Sequence, residues 1–393
     1  MSAVGSVIDS EALCRVGRRA GLDAVGVCSA EPFVDTRVEL ERRRDEGLHG
    51  GMAFTYRNPA RSTEPARSLP NGAALIVGAL SYADPPHPPE RPAAEGPDAQ
   101  DGPVGRVARY AWSDHYRRLR DALGEVAAVL DDAGWRARVL ADDNALVDRA
   151  AAHRAGLGWY GKNANLLLPG RGSWFVLGSV LTDAPLEPTG GPVPDGCGSC
   201  TRCLDGCPTD AIVAPGVVDA RRCLAWLVQA PDTFPHEFRE ALGDRIYGCD
   251  DCQEVCPPNR RVDRAASVSE PGRTETDTPI AIEAEVDLLG MLAASDDELL
   301  ARHGRWYVAR RDPAHLRRNA LLALANTADP ADPRVVAAVA SALAHPEPVV
   351  RSHAVWAARR LGLDHLAAAV ENDTDPMVVA ERDAPPPTPR TTR

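Results

Sequence analysis

The chain is nearly devoid of lysine: of its 44 basic residues only Lys162 is one, and the rest are arginine. It has no run of eighteen apolar residues, which argues against a helical membrane span. A basic-then-apolar leader is also missing from its start, so the expectation is a soluble, cytoplasmic protein. The formal charge of -12 speaks against a generally basic nucleic-acid binder, although acidic residues are spread unevenly and local patches must be read segment by segment. At 393 residues the chain exceeds what one core usually organises, and two or three domains are expected. What it does have is ten cysteines, eight of them between residues 197 and 256. In a reducing compartment such a concentration reads as metal ligands rather than disulfides.

The spacing makes that reading specific. Cys197, Cys200, Cys203 and Cys207 follow C-x2-C-x2-C-x3-C and are succeeded by Pro208, the run of bacterial ferredoxins, in which three thiolates wrap one cubane and the fourth serves another. Cys249, Cys252 and Cys256 with Pro257 repeat the C-x2-C-x3-C-P half, and Cys223 supplies an eighth thiolate. A pseudo-symmetric assignment follows for two four-iron, four-sulfur (4Fe-4S) clusters. Cys197, Cys200, Cys203 and Cys256 hold one; Cys207, Cys223, Cys249 and Cys252 hold the other. Structural zinc is the alternative, but paired C-x2-C zinc sites do not need the added C-x3-C-P turns. Cys14 and Cys28 fall in expected core elements and read as inert buried thiols.

Elsewhere the pattern is α+β. Leu13 to Ala20 is amphipathic, Ala24 to Cys28 and Ala74 to Tyr82 read as strands, and Leu119, Leu123, Val126 and Leu130 recur at helical spacing. Val139 lies in an expected strand and Leu146 to Ala155 in a helix. Asn165 to Leu168 and Ser173 to Thr182, joined by Pro169-Gly170-Arg171-Gly172, are expected to form a hairpin. The Pro-rich stretch from Asp84 to Pro103 reads as an exposed loop, and Pro188 to Gly196 introduces the cysteine region. The expected division is 1–190, 191–300, 301–370 and a tail 371–393, structureless after Asp383. Within 301–370, a pair of Ala/Leu-rich segments starting at Leu316 and Val350 align at an offset of 34, suggesting paired-helix, HEAT-like repeats. Between 301 and 361 ten arginines face four acidic residues.

Roughly 190 residues precede the clusters, more than a ferredoxin needs, and a second redox or substrate site is expected there. Asp142 and Asp143 end a strand, where desolvation raises a carboxyl pKa and suits it to proton donation; capping of the following helix is the competing role. Gly161-Lys162-Asn163 is not a Walker loop, and no G-x-G-x-x-G follows a strand. The sole lysine is a candidate for an anionic or carbonyl group, with a surface salt bridge as the alternative.

With these residues in view, the chain resembles the epoxyqueuosine reductase family from about residue 10 to 370. The most specific segments are Arg149-Ala150 through Ala155-Gly-Leu-Gly-Trp-Tyr-Gly-Lys-Asn163, Gly172-Ser-Trp-Phe175, Cys197-Gly-Ser-Cys-Thr-Arg-Cys-Leu-Asp-Gly-Cys-Pro-Thr209, Tyr247-Gly-Cys-Asp-Asp-Cys-Gln-Glu-Val-Cys-Pro257 and Arg317-Arg-Asn-Ala. The resemblance implies a nitroreductase-like cobalamin-binding domain, also related to reductive dehalogenases, then a ferredoxin-like double-cluster domain and a HEAT-like tail. It implies reduction of an epoxide on a wobble nucleoside of tRNA to the alkene, with release of water and a low-potential electron donor. By motif position the proton donor falls on Asp142, and cobalamin contacts fall on Arg61, Asp142, Lys162, Ser173, Asp250 and Asp251. The motif D-x-H-x-x-G is absent, so cobalamin is expected without a histidine below cobalt. Trp112-Ser-Asp-His-Tyr-Arg117 departs from the family's W-G-x-D-Y-H, which leaves Asp114 without a clear register.

For the tRNA implied by the resemblance, Arg317, Arg318 and Arg351, with Arg359 and Arg360, are candidates to neutralise phosphates, solvated helix faces being the alternative. A monomer is expected. A reductive dehalogenase-like enzyme acting on a small molecule is one rival, disfavoured by the basic tail, and a non-enzymatic iron-sulfur carrier is another.

Overall fold

The computed structural model describes residues 8–83, 102–268 and 282–388. Most of the expected Pro-rich loop, 84–101, and the terminal 389–393 lie outside these residues. The described chain forms two compact units, each assembled from separated stretches: 8–83, 113–221 and 250–268 in one, 102–112, 222–249 and 282–388 in the other.

The first unit is built on a four-stranded sheet in the order Ala24–Ser29, Ala74–Ser81, Phe175–Thr182, Ala137–Ala141, with every pairing antiparallel. Antiparallel pairing with helices on both faces makes this an α+β architecture. The two central strands are buried along their whole length apart from their ends, which is why they read as continuous apolar runs rather than alternating ones. On one face lie the helices Ser10–Arg19 and His115–Asp132, the latter burying Leu119, Leu123, Val126 and Leu130 as their spacing predicts. Asp114 caps that helix, accepting from the Arg117 N–H at 2.9 Å, so the departure at 112–117 is a helix start. Gly78 and Gly178 sit opposite each other in the ladder; a Cβ on them would come within 2.7 and 2.9 Å of Leu22 and Leu123 carbons, so glycine lets this layer close. On the other face the helix Asp148–Arg154 packs its Ala150, Ala151 and Ala152 on the sheet. Cys14 and Cys28 are buried here; desolvation raises both thiols, Cys28 to about 12, and the Cys28 thiol faces the Ala151 carbonyl at 3.7 Å.

The expected hairpin is half right. The turn exists, with Leu168 bridging Gly172, but Leu166–Leu167 pairs back onto Trp159–Tyr160 while Phe175–Thr182 enters the main sheet. A turn signal fixes where the chain reverses; the partner of a fully apolar strand is set by which sheet buries both its faces.

The second unit has a three-stranded sheet, Arg245–Tyr247, Val104–Val107, Glu285–Asp287, packed into one core with the helices Ala314–Thr327, Pro333–Leu343 and Pro348–Arg360. The first and third of these helices begin at the offset of 34 read from the sequence and are buried almost all round, their polar residues included. Their arginines correct the sequence expectation. Arg318 is fully buried and donates to the carbonyls of Leu227, Val228, Ala230 and Asp232 and to Asn319 Oδ1. Arg317 is buried against Asp296 and the Ala294 carbonyl, and Arg351 is clasped by Asp373 and the carbonyls of His345 and Pro346. Arg359 and Arg360 likewise donate to carbonyls of residues 381–388. The buried Arg317 and Arg318 hold the fold and are not presented to phosphates, while the half-buried Arg351, Arg359 and Arg360 are tied to acceptors of the chain itself.

Burial, helped by nearby Arg239, pulls the Arg318 pKa down to about 9, so it remains a cation at neutral pH, solvated by peptide dipoles instead of a carboxylate. Arg318→Ala is expected to destabilise this unit by about 3 kcal/mol, since several buried carbonyls lose their donor at once. Chemical unfolding followed by tryptophan fluorescence measures it; a loss below about 1 kcal/mol would mean that water replaces the guanidinium.

Candidate functional site

The cluster loops follow from short-range geometry. None of these eight cysteines is in a disulfide, and all are half-buried. Cys197 to Cys203 is a tight loop, with the Cys200 N–H on the Cys197 carbonyl at 3.1 Å, and Pro257 opens the helix Pro257–Val268 directly after Cys256. Burial, with smaller contributions from Cys197, Cys203 and Cys200, raises the Cys256 thiol to about 11, which places the four expected ligands of one cubane together. Cys203 is raised by burial and by Cys197 and Cys200. The donor set therefore fits a thiolate-ligated cluster. Among the described residues no three His, Cys, Asp or Glu converge on a single ion. A cubane does not ask for that, because each thiolate binds a different iron. Cys207 and Cys252 lie in the same unit as this quartet, and Cys223 and Cys249 in the other.

The turn after Trp159–Tyr160 straps these loops to the sheet unit. Lys162 Nζ donates to the Gly198 carbonyl at 2.7 Å, inside the first cysteine loop, and Asn163 Nδ2 donates to the Cys252 carbonyl at 3.3 Å. The sole lysine, expected to meet an anionic or carbonyl group, thus meets a backbone carbonyl of the cluster loop. Ser173 also differs from expectation: it is buried, its N–H donates to Asn259 Oδ1 and its hydroxyl to Gln253 Oε1, so both its hydrogens are used inside the chain. Gly172 just before it has φ +71° and its Cβ would fall 2.0 Å from Asn259 Oδ1, which requires glycine. Tyr82, itself buried, turns its hydroxyl to the same Gln253 at 3.5 Å and its ring edge-on to Trp174. Asp250 is buried at the start of the Asp251–Glu254 turn. Arg61 is exposed on the short helix Pro59–Thr63, whose Ser62 hydroxyl donates to the Asn144 carbonyl at 2.6 Å and so ties it to the loop that follows Ala141.

That loop carries the carboxyls. Asp143, not Asp142, makes the local turn, accepting from the Ala145 N–H at 2.9 Å. Asp142 stands at the end of the edge strand with φ +55°, a strained conformation for a residue with a side chain, and its carboxyl accepts no hydrogen bond among the described residues. It is raised by desolvation; Arg120 opposes the shift and Asp143 adds to it. Asp148, at the first turn of the next helix, has one carboxyl oxygen buried without a partner and is raised well above its ordinary value by burial and by Asp142. Burial thus favours the protonated form of both Asp142 and Asp148. Sequence reasoning missed Asp148, Asn259 and Gln253; each lies six or fewer residues from a residue it did select.

The comparisons agree with this geometry. Residues 196–259 match the family described as a 4Fe-4S double cluster binding domain. An epoxyqueuosine reductase of Bacillus subtilis is 32% identical over 378 residues, covering 93% of this chain and 92% of the relative. One from Xanthomonas campestris is 34% identical over 375 residues, covering 92% of this chain and all of the relative. Among solved structures, an epoxyqueuosine reductase with an epoxyqueuosine-modified tRNA-Tyr stem loop superposes with TM-score 0.80 at 29% identity, covering 95% of this chain and 96% of that one. The Streptococcus thermophilus epoxyqueuosine reductase gives TM-score 0.80 at 27% identity over 95% of this chain and 97% of that one.

The quartet predicts a pattern of iron loss. Wild type should hold about eight irons per chain, and Cys200→Ala or Cys256→Ala alone about four. The double variant Cys200→Ala/Cys256→Ala should lose no more than either single one, whereas Cys200→Ala/Cys249→Ala should lose nearly all. Total loss from the first pair, by iron analysis after anaerobic purification, would break the assignment.

Proposed function

The chain belongs to the epoxyqueuosine reductase family, and from that membership we infer that it is an oxidoreductase converting epoxyqueuosine to queuosine at the wobble position of tRNA. The observation that carries the reading to particular residues is Asp142: a carboxyl raised by desolvation, without a hydrogen-bond donor among the described residues and held on a strained strand exit. Removal of an epoxide oxygen as water takes two electrons and two protons, so a poised acid is what the chemistry requires of the chain itself.

When bound, the two 4Fe-4S clusters and cobalamin supply the electrons singly at low potential and a cobalt centre that engages the substrate. The loop 142–148 fits such a polar, amide-rimmed cofactor in its donor set, since Asp142 and one oxygen of Asp148 lack partners among the described residues. Arg61, with its guanidinium exposed, and Asp250, Asp251 and Lys162 between and beside the cysteine loops are the further residues we assign toward it; Ser173 acts through Gln253 and Asn259. Asp142 holds the proton and delivers it to the departing oxygen. Burial keeps that proton in place, and Asp143 adds to it by opposing a negative charge on Asp142.

We divide the chain by role into a nitroreductase-like cobalamin domain, 1–190, a ferredoxin-like cluster domain, 191–300, HEAT-like repeats, 301–370, and a tail. None of the helices among the described residues is long and apolar enough to cross a membrane. A tRNA substrate supports a cytoplasmic enzyme, and we propose a monomer served by a low-potential donor. A carrier would have no use for the carboxyl loop, and a small-molecule dehalogenase none for tRNA.

At matched cobalamin occupancy, Asp142→Asn should lower turnover on epoxyqueuosine-containing tRNA by about 10²- to 10⁴-fold, the usual range for a lost general acid, while iron content stays at the wild-type level. Normal turnover would remove Asp142 from the mechanism. The pH profile carries a sign as well. The active form is protonated and its pKa is raised, so the rate should hold above the ordinary carboxyl range and fall as pH rises through the shifted value. Asp143→Asn removes the like charge that raises Asp142 while keeping an oxygen for the Ala145 N–H, and should move that falling limb to lower pH; a limb that stays in place would show the two carboxyls to be independent.

A further inference from the structure

With the helix arginines committed to the fold, the RNA contact must lie elsewhere, and the loop 302–311 of the second unit has the composition for it. In ten residues it carries Arg302, Arg305, Arg310 and Arg311, all exposed, and no acid. Tyr307 stands 58% exposed between them, the most exposed aromatic of the unit. Its neighbour Trp306 does the opposite: it is buried, stacked on Tyr247 at 4.8 Å and on His303 at 4.4 Å. The Tyr307 N–H donates to the Tyr247 hydroxyl at 2.8 Å, and the Ala309 N–H to the Gln229 carbonyl at 3.2 Å. The loop is thus pinned from beneath while Tyr307 is turned out.

Its backbone is strained where its charge is greatest. Arg310 and Arg311 follow each other at φ +59° and +55°, a conformation that costs a side-chain-bearing residue stability and survives where surrounding structure enforces it. Arg311 has no carboxylate partner among the described residues. Arg310 meets Asp232 only at 3.4 Å, with both side chains more than two-thirds exposed, and Arg302 and Arg305 share Glu283. The exposed Arg310 pair contributes little and yields readily to phosphate. A rigid, exposed ring flanked by guanidiniums is how unpaired bases are held: the ring stacks on a base face and the cations track the backbone.

We propose that loop 302–311 is a contact for single-stranded RNA, with Tyr307 stacking on an unpaired base of the tRNA substrate and Arg310 and Arg311 neutralising adjacent phosphates. It rests on the tRNA reading above and locates the grip. The test is binding of a fluorescein-labelled tRNA anticodon stem-loop to the full-length holoprotein by anisotropy across a salt series, beside turnover of epoxyqueuosine-containing tRNA. Tyr307→Ala should weaken binding roughly tenfold, in the range for one lost base stack, and Tyr307→Phe should stay within about twofold of wild type. Arg310→Asn/Arg311→Asn, chosen because asparagine tolerates the left-handed backbone, should flatten the salt slope by about 1.5. Cluster absorption and melting temperature report that each variant is folded. If folded Tyr307→Ala and the double variant both bind as wild type while wild type turns over tRNA, the loop assignment falls and the enzyme assignment stands. If wild type neither binds nor converts tRNA, both fall.

Discussion

The rest of the first unit depends on the short turn that carries Lys162 and Asn163. A cubane demands thiolates from distant positions at fixed separations, and loops of three or four residues do not hold such positions alone. Lys162 and Asn163 each reach a backbone carbonyl of a different cysteine loop, at Gly198 and Cys252, so one turn sets both against the same small ladder, Trp159–Tyr160 on Leu166–Leu167. Hydrogen bonds from a charged donor are the stronger kind, and an ammonium on a peptide carbonyl keeps that character without adding a negative charge next to thiolates. In a chain that otherwise uses arginine, a single lysine here is intelligible. A planar guanidinium needs several acceptors in one plane, and a lone carbonyl offers one.

The second unit solves the converse problem, how to bury cations. Arg318 has four main-chain carbonyls around it, Arg239 has both oxygens of the buried Glu381, and His353, kept neutral by burial and by Arg239 and Arg318, donates to the Val349 carbonyl and accepts from the Phe234 N–H. The carbonyls that receive Arg318 come from residues 227–232, a stretch leaving a short helix where main-chain acceptors would otherwise be unsatisfied. The arginine thus answers a loop's unmet acceptors as much as the loop answers the charge.

This explains what the sequence disclosed and what it withheld. Cysteine spacing is a direct statement about ligand geometry, and the leucines at 119, 123 and 130 with Val126 are a direct statement about one helix face; both were legible because their meaning is local. Asp142 was legible as a strand-end carboxyl, but the separation of its role from that of Asp143 required knowing which carboxyl the Ala145 N–H meets. Arg317 and Arg318 were misread because a one-dimensional count cannot tell a guanidinium facing water from one facing carbonyls, and an alanine-rich helix buried all round shows no polar face to give the difference away. The fate of Phe175–Thr182 was hidden for a similar reason: an apolar strand fits any sheet with two covered faces, and only the assembled fold says which.

The carboxyl loop shows why strain and charge belong together. Asp142 occupies a left-handed backbone at the end of an edge strand, where no ladder bond on its outer side holds it, and its side chain is kept out of the local turn that Asp143 completes. Were Asp142 the turn-maker, its oxygens would accept backbone hydrogens, the ionised form would be favoured and the proton would be lost well below neutrality. Assigning the turn to Asp143 leaves Asp142 unsolvated by the chain, and burying one oxygen of Asp148 nearby removes another place for negative charge to settle. The unfavourable features of this loop, a strained φ, a partnerless oxygen and three crowded carboxyls, are the conditions under which an aspartate keeps a proton it can give away.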